Sequence, residues 1–147
     1  PQHWVAKAAI AALNEWVVSG VAPPQAERLA VAGDSRTFEL DAQGNVLGGI
    51  RTPYVDAPIA VLSGEGQPQP NFDELDEISV EEVDFCFLSG TTQLFDAATL
   101  GSLYDSNEGY IQAVNRSADE AVSNGFLLRP DAELIKAWAA DSDIFAP

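Results

Sequence analysis

Two tryptophans on one helical stripe constrain this chain most. Trp4, Val5, Ala8, Ala9, Ala12, Leu13, Trp16 and Val17 recur at i, i+1, i+4 and i+5, the spacing that gathers side chains on one side of a 3.6-residue helix. Gly20 can take the left-handed position that ends a helix, and Pro23-Pro24 cannot continue one, so the stop is doubly specified. Lys7, Asn14 and Glu15 mark the wet side. Residues 1–24 are therefore expected to form a buried helix of about four turns. Its stripe calls for more covering surface than the remaining residues supply.

Size permits a core. A chain of 147 residues fits a single domain or part of one, and folding at this size buries about two-thirds of the extended surface. With 46% hydrophobic and 20% charged residues, the composition is not that of a disordered tail, and no apolar run reaches the roughly 18 residues a bilayer helix needs. Seven Lys and Arg face 23 Asp and Glu, a net charge of −16 that repels phosphate backbones and anionic headgroups. Neither nucleic acid nor a membrane surface is expected as a partner. The chain starts at Pro1 and holds no Met, so residues upstream of it are expected. No basic, apolar leader with a small-residue cleavage site is present, which leaves the compartment open. Cys86 is the one cysteine, either a buried thiol or paired with a cysteine outside this stretch.

Along the chain the hydrophobic period shifts. Thr37-Phe38-Glu39-Leu40 and Val46-Leu47 flank Asp41 to Asn45, which reads as a small hairpin with Gly44-Asn45 supplying the positive φ of a tight turn. Residues 48–58 carry two glycines and two prolines, which exclude regular helix and force an extended, shaped loop. Residues 65–85 hold eight acids and no base, a solvated surface insertion. Asp73, Glu74, Asp76 and Glu77 cluster there but lack the glycine turn and terminal glutamate of a calcium loop. No metal site and no cofactor are expected. Phe85-Cys86-Phe87-Leu88 follows as a short apolar run. Phe95 to Tyr104 suits a short helix capped by Asp96, with Leu100, Leu103 and Tyr104 inward. A longer helix from about Asn107 to Asn124 aligns Tyr110, Ile111, Val114, Ala118, Ala121 and Val122 and stops at Gly125. Asp131 is placed to cap a last helix through Ala140, presenting Leu134, Ile135 and Trp138.

The chemical inventory is short. There is no Gly-x-Ser-x-Gly elbow, no phosphate-binding glycine loop and no paired-histidine motif. His3 is the one histidine. It could serve as a base only if other segments supplied nucleophile and acid, and otherwise it is a solvated residue at a helix start. A self-sufficient hydrolase built on His3 is thus one reading of the residues. Arg51 is one of seven bases and sits within Gly48-Gly-Ile-Arg-Thr-Pro53. It is expected to anchor an acid such as Asp56 or backbone carbonyls, with substrate contact as the alternative.

The order of several motifs resembles a known family. Pro1-Gln2-His3-Trp4-Val5 leads to Ala-Leu-x-x-Trp-Val-x-x-Gly-x-Ala-Pro-Pro from Ala12 to Pro24. Asp41-Ala-x-Gly-Asn45, Gly48-Gly-Ile-Arg-Thr-Pro53, Val55-Asp56-x-Pro58 and Cys86-Phe-Leu-x-Gly90 follow in sequence. Phe95-Asp-Ala-Ala-Thr-Leu100, Leu103-Tyr104 and Gly125-Phe126-Leu127-Leu128 complete the set. Together they are similar to the carboxy-terminal part of bacterial alpha/beta hydrolase domain-containing proteins, over nearly the whole chain. The acidic stretch after Gly64 is the main departure.

The resemblance implies an α/β hydrolase-type C-terminal portion, mostly helical here with a small β-hairpin and long loops. Residues 1–24 become the helix that packs on the hydrolase core, and residues 25–147 a tailpiece wrapping it. The implied function is that of a serine hydrolase, esterase-like, whose nucleophile and catalytic histidine precede Pro1. Its implied partners are the remainder of the hydrolase chain and a small ester substrate. An upstream cysteine pairing with Cys86 would place the protein in an oxidising compartment, which leans to a secreted or periplasmic location. The competing reading is a non-catalytic binding or assembly module, whose apolar stripe packs against partner subunits.

Overall fold

The fold is built on helices joined by shaped loops. The computed structural model describes residues 2–33, 37–64 and 89–145. In chain order it has α1 (Gln2–Ser19), α2 (Pro53–Asp56), β1 (Ala60–Ser63), β2 (Thr91–Leu94), α3 (Ala97–Tyr104), α4 (Asn107–Ser123) and α5 (Arg129–Asp141). About half of the described residues are helical, beside one two-stranded antiparallel sheet. The acidic stretch, the Phe85 to Leu88 run and Cys86 lie outside the described residues.

The core forms where α4 and α5 pack together. Val114, Ala118 and Ala121 of α4 meet Ala132, Ile135 and Ala139 of α5, and Trp4, Ala57 and Leu127 close the cluster. Four of the six helical positions are alanines, which hold little side-chain volume between the helix backbones. The ends of α3 and α4 follow the sequence. Asp96 accepts from the Thr99 N–H at 2.8 Å, Ser106 Oγ accepts from the Gly109 N–H at 3.1 Å, and Gly125 turns at φ +78°. Leu100 and Tyr104 are buried, as expected. The Tyr104 hydroxyl donates to Pro58 O at 2.8 Å.

α1 stops at Gly20, whose φ is +76° and whose N–H bonds to Trp16 O. Its burial differs from expectation. Only Trp4 and Ala8 are buried, while Leu13, Trp16 and Val17 are 53%, 51% and 78% exposed. The described fold touches one edge of the stripe, because Tyr54 and α5 meet α1 at its first two turns. The Trp4 indole N–H donates to Tyr54 Oη at 3.3 Å, and the Trp4 and Trp138 rings lie 5.7 Å apart. Lys7, expected on the wet side, reaches across to Asp131 at 2.8 Å and lies over the Trp4 ring at 4.6 Å.

Four further corrections concern local structure. The loop after Gly49 contains one helical turn, α2, because Pro53 occupies its first position, where a missing N–H costs nothing. The expected hairpin is reduced to isolated bridges, Val31 with Phe38 and Leu40 with Val46. Only Gly44 takes positive φ there, at +85°, and Asn45 is instead a buried polar residue. Asp131 does not cap α5. Leu128 holds that position, and Asp131 sits one turn in, buried against α1. Of the three residues that α5 was to present, only Ile135 is buried, and Leu134 and Trp138 are about half exposed. β1 and β2 carry no alternation in sequence that announced them. Their register pairs Ala60 with Leu94 and Ser63 with Thr91.

Candidate functional site

Polar chemistry in the described residues converges on Arg51. The turn before it is shaped by Asp41, whose Oδ1 accepts from the N–H groups of Gln43 at 3.0 Å and Asn45 at 2.9 Å, an arrangement that short acidic side chains favour in turns. This leaves Asp41 Oδ2 for Arg51 Nη2, at 3.1 Å. α2 then places Asp56 beside the same guanidinium, where Nε donates to Asp56 Oδ1. Arg51 Nη1 donates to Val46 O at 3.0 Å and Nη2 to Val55 O at 3.3 Å. One planar fork thus ties the turn, the loop and α2 together, a task suited to arginine and not to lysine. Partial burial works against the charge, but the hydrogen bonds and charges of Asp56 and Asp41 outweigh it, and the Arg51 pKa is held above the ordinary arginine value.

Ser117 joins this hub from α4. Its hydroxyl is buried among α4's apolar positions and donates to Asp56 Oδ2 at 3.2 Å. A cleft of about 750 Å³ opens alongside, lined by Gly48, Gly49, Arg51, Asp56, Arg116 and Ser117 among others. The resulting Ser117–Asp56–Arg51 chain has the wrong order for nucleophile activation. The Asp56 carboxylate is already engaged by the Arg51 guanidinium, and no imidazole lies between it and the hydroxyl. The arrangement braces α4 against the loop.

His3 stands apart from this hub. It is exposed on the first turn of α1, its ring 4.1 Å from that of Trp4. Among the described residues no hydrogen bond joins it to a hydroxyl or a carboxylate. Nor, among those residues, do three or more His, Cys, Asp or Glu side chains gather as a metal cage. An apolar groove of about 380 Å³ runs beside the sheet between Leu62, Leu94, Tyr110, Ile135, Trp138 and Ile144. A smaller one of about 220 Å³ lies between α1 and Pro23, Pro24 and Phe126.

Sequence reasoning found Arg51 and its partner Asp56, and it missed Asp41, Asn45, Ser117 and Asp131. Ser117 was within reach, since it adjoins Ala118 and falls three residues after Val114 on the inward face of α4. Asp131 was not, because its partner Lys7 lies 124 residues away.

No curated protein and no solved structure matches the chain. The family model described as alpha/beta hydrolase domain matches residues 1–137. A match over that span covers all seven described elements except the last turn of α5, and the chain belongs to the alpha/beta hydrolase domain family.

Proposed function

We propose that this chain is the carboxy-terminal segment of a serine hydrolase of esterase type, bracing an active site whose nucleophile and histidine lie upstream of Pro1. The observation that carries this reading is the uncovered stripe of α1, with Leu13, Trp16 and Val17 open to solvent. A helix apolar over so wide an arc belongs inside a larger core, and a hydrolase-fold protein offers one. The chain's own residues would fix how α1 is presented. Lys7 and Asp131 tie it to α5, and the Arg51 hub locks the loop that carries Tyr54, the partner of Trp4.

A fluorophosphonate probe on the native protein, followed by peptide mapping, tests the proposal. The label is expected on a serine outside these 147 residues. Labelling of Ser117 or another serine within them, or of no serine at all, overturns it. The same exposed stripe favours a second reading as an assembly module. That reading requires a native mass of 15.7 kDa and co-purification with a separate subunit.

A further inference from the structure

Six asparagines occur in the chain, and Asn124 alone is followed by glycine. The same pair ends α4. Asn124 is its C-cap, at φ −81° and ψ −4°, and Gly125 turns the chain at φ +78°, a conformation that suits a residue without Cβ. That requirement leaves the main-chain nitrogen of Gly125 unshielded, because no side chain stands beside it to hinder its approach to the Asn124 amide. Asn124 is exposed, and its side chain makes no hydrogen bond among the described residues. The other described asparagines lack this combination. Asn45 is buried, and its amide donates to Ala60 O at 3.4 Å and accepts from the Leu62 N–H at 3.0 Å, standing in for a strand beside β1. Asn107 is held likewise, by Ser142 O and the Ile144 N–H. Asn14 and Asn115 lie inside α1 and α4, where the helix fixes the following nitrogen.

We propose that Asn124 is a site of spontaneous covalent modification, through ring closure onto Gly125 and opening of the ring by water to isoaspartate. The Gly125 nitrogen attacks Cγ of Asn124 and forms an N–C bond. The Cγ–Nδ2 bond breaks, and Nδ2 leaves as ammonia with the proton that the Gly125 nitrogen gives up. Water then adds to the cyclic imide. Cleavage at the side-chain carbonyl leaves an ordinary aspartate, and cleavage at the main-chain carbonyl gives isoaspartate, in which the backbone runs through Cβ and Cγ. Water is the one co-reactant.

The folded structure sets the pace. At ψ −4° the Gly125 nitrogen eclipses the main-chain nitrogen of Asn124 and not its Cβ, so closure requires rotation about the Cα–C bond. The Gly125 N–H is also held by Val122 O at 3.0 Å and must let go first. Both happen when the last turn of α4 frays, an opening that helix ends make more readily than their middles. Once formed, isoaspartate alters what that turn supports. The inserted carbon falls just before the Phe126 and Leu127 N–H groups, which bond to Ala121 O at 2.9 and 3.2 Å, and Leu127 belongs to the core. The new carboxylate stands at the negative end of the α4 dipole, whose last turn holds no base. Modification therefore loosens the connection from α4 to α5.

Native protein aged at mildly alkaline pH and digested with trypsin tests this on the peptide from Ser117 to Lys136, which stays whole because Arg129 precedes a proline. The peptide is expected to gain the mass of an amide-to-acid exchange and to split into two forms, the larger of them isoaspartate and a substrate for isoaspartyl methyltransferase. The same chain unfolded in guanidinium chloride should convert about tenfold faster, the worth of one or two backbone hydrogen bonds. Aged protein should unfold at lower denaturant than fresh. Asn124→Gln, an exposed change that enlarges the ring to be closed, should abolish both effects. The peptide is read in the natural sequence, so the outcome does not depend on how the variant folds. An intact Asn124 in the native protein after the unfolded chain has converted overturns the proposal, as does a product that is aspartate alone or conversion at a different asparagine in its place.

Discussion

α4 and α1 are helices of nearly equal length, and they meet opposite fates in this chain. α4 lays a narrow face of Val114, Ser117, Ala118 and Ala121 against α2 and α5, and every one of these residues is buried. α1 carries apolar residues over a much wider arc and hides only Trp4 and Ala8. The difference lies in supply of neighbours. The described residues provide α4 with α5 on one side and α2 and α3 on others, but they provide the first two turns of α1 with α5 and Tyr54 and the rest of its stripe with only an open groove against Pro23, Pro24 and Phe126. A stripe read from sequence says that a helix will form and that one side wants covering. It does not say whether the cover is in the same stretch of chain.

The widest separation between the two helices' surroundings should come from truncating one side chain in each. Ile135→Ala, in the core against α4, should cost about 2–5 kcal/mol in denaturant unfolding. Leu13→Ala in the 147-residue chain should stay within about 0.5 kcal/mol. In the native protein its cost should climb to about 2 kcal/mol or more if upstream residues cover the stripe. Equal effects of Leu13→Ala in the two settings would break the comparison.

The anchored end of α1 offers a sharper probe. Lys7→Met leaves the Asp131 carboxylate buried without its ionic partner, a loss of about 1–3 kcal/mol. Hydrogen exchange should then quicken in the first two turns of α1 and leave α4 protected. Uniform loosening of both helices would show that α1 belongs to the core more fully than its exposure indicates.

Smaller effects come from the α3 and α4 side. Burial, followed by the nearby Tyr110, pushes the Tyr104 pKa well above its ordinary value. Folding therefore holds the Tyr104 proton more tightly than the unfolded chain does. The stability this contributes is complete below about pH 10 and is lost as pH rises towards the folded pKa. Tyr104→Phe should flatten the alkaline limb of a stability profile and cost about 1 kcal/mol at neutral pH, through the bond to Pro58 O.

Asp96 should give the least. Its hydrogen bond from the Thr99 N–H lowers its pKa, so its contribution is present above about pH 4 and fades as pH falls below it. Asp96→Asn should remove that acid dependence, read as loss of helicity in α3 below pH 4, without moving α5.

Legibility of the fold tracked the range of the interactions. The Asp96 cap, the stop of α1 at Gly20 and the inward face of α4 were readable because each is settled within a turn or two of helix. Arg51 was readable as an anchor because Asp56 lies five residues away on a loop too constrained to carry it elsewhere. The exchange of roles at Asp131, from expected cap to buried partner of Lys7, was not, and neither was the Asn45 amide standing in for a strand beside β1. Short uncharged stretches such as Ala60–Ser63 and Thr91–Leu94 gave no period to read, since each is four residues long and the two are brought together from 31 positions apart at Ala60 and Thr91.

By itself the sequence determined the four longer helices and their stops, the acidic balance, and a collinear motif set resembling the hydrolase family to which the chain belongs. Those follow from backbone preference, hydrophobic period and charge, which act locally or sum over the whole. Only the tertiary structure decided which side chains meet. It set Arg51 between Asp41 and Asp56, put Ser117 on Asp56, and left the His3 ring tilted against that of Trp4, without an ion pair among the described residues. Pairings of that kind depend on where distant segments dock, and docking is settled by the packing of the entire core.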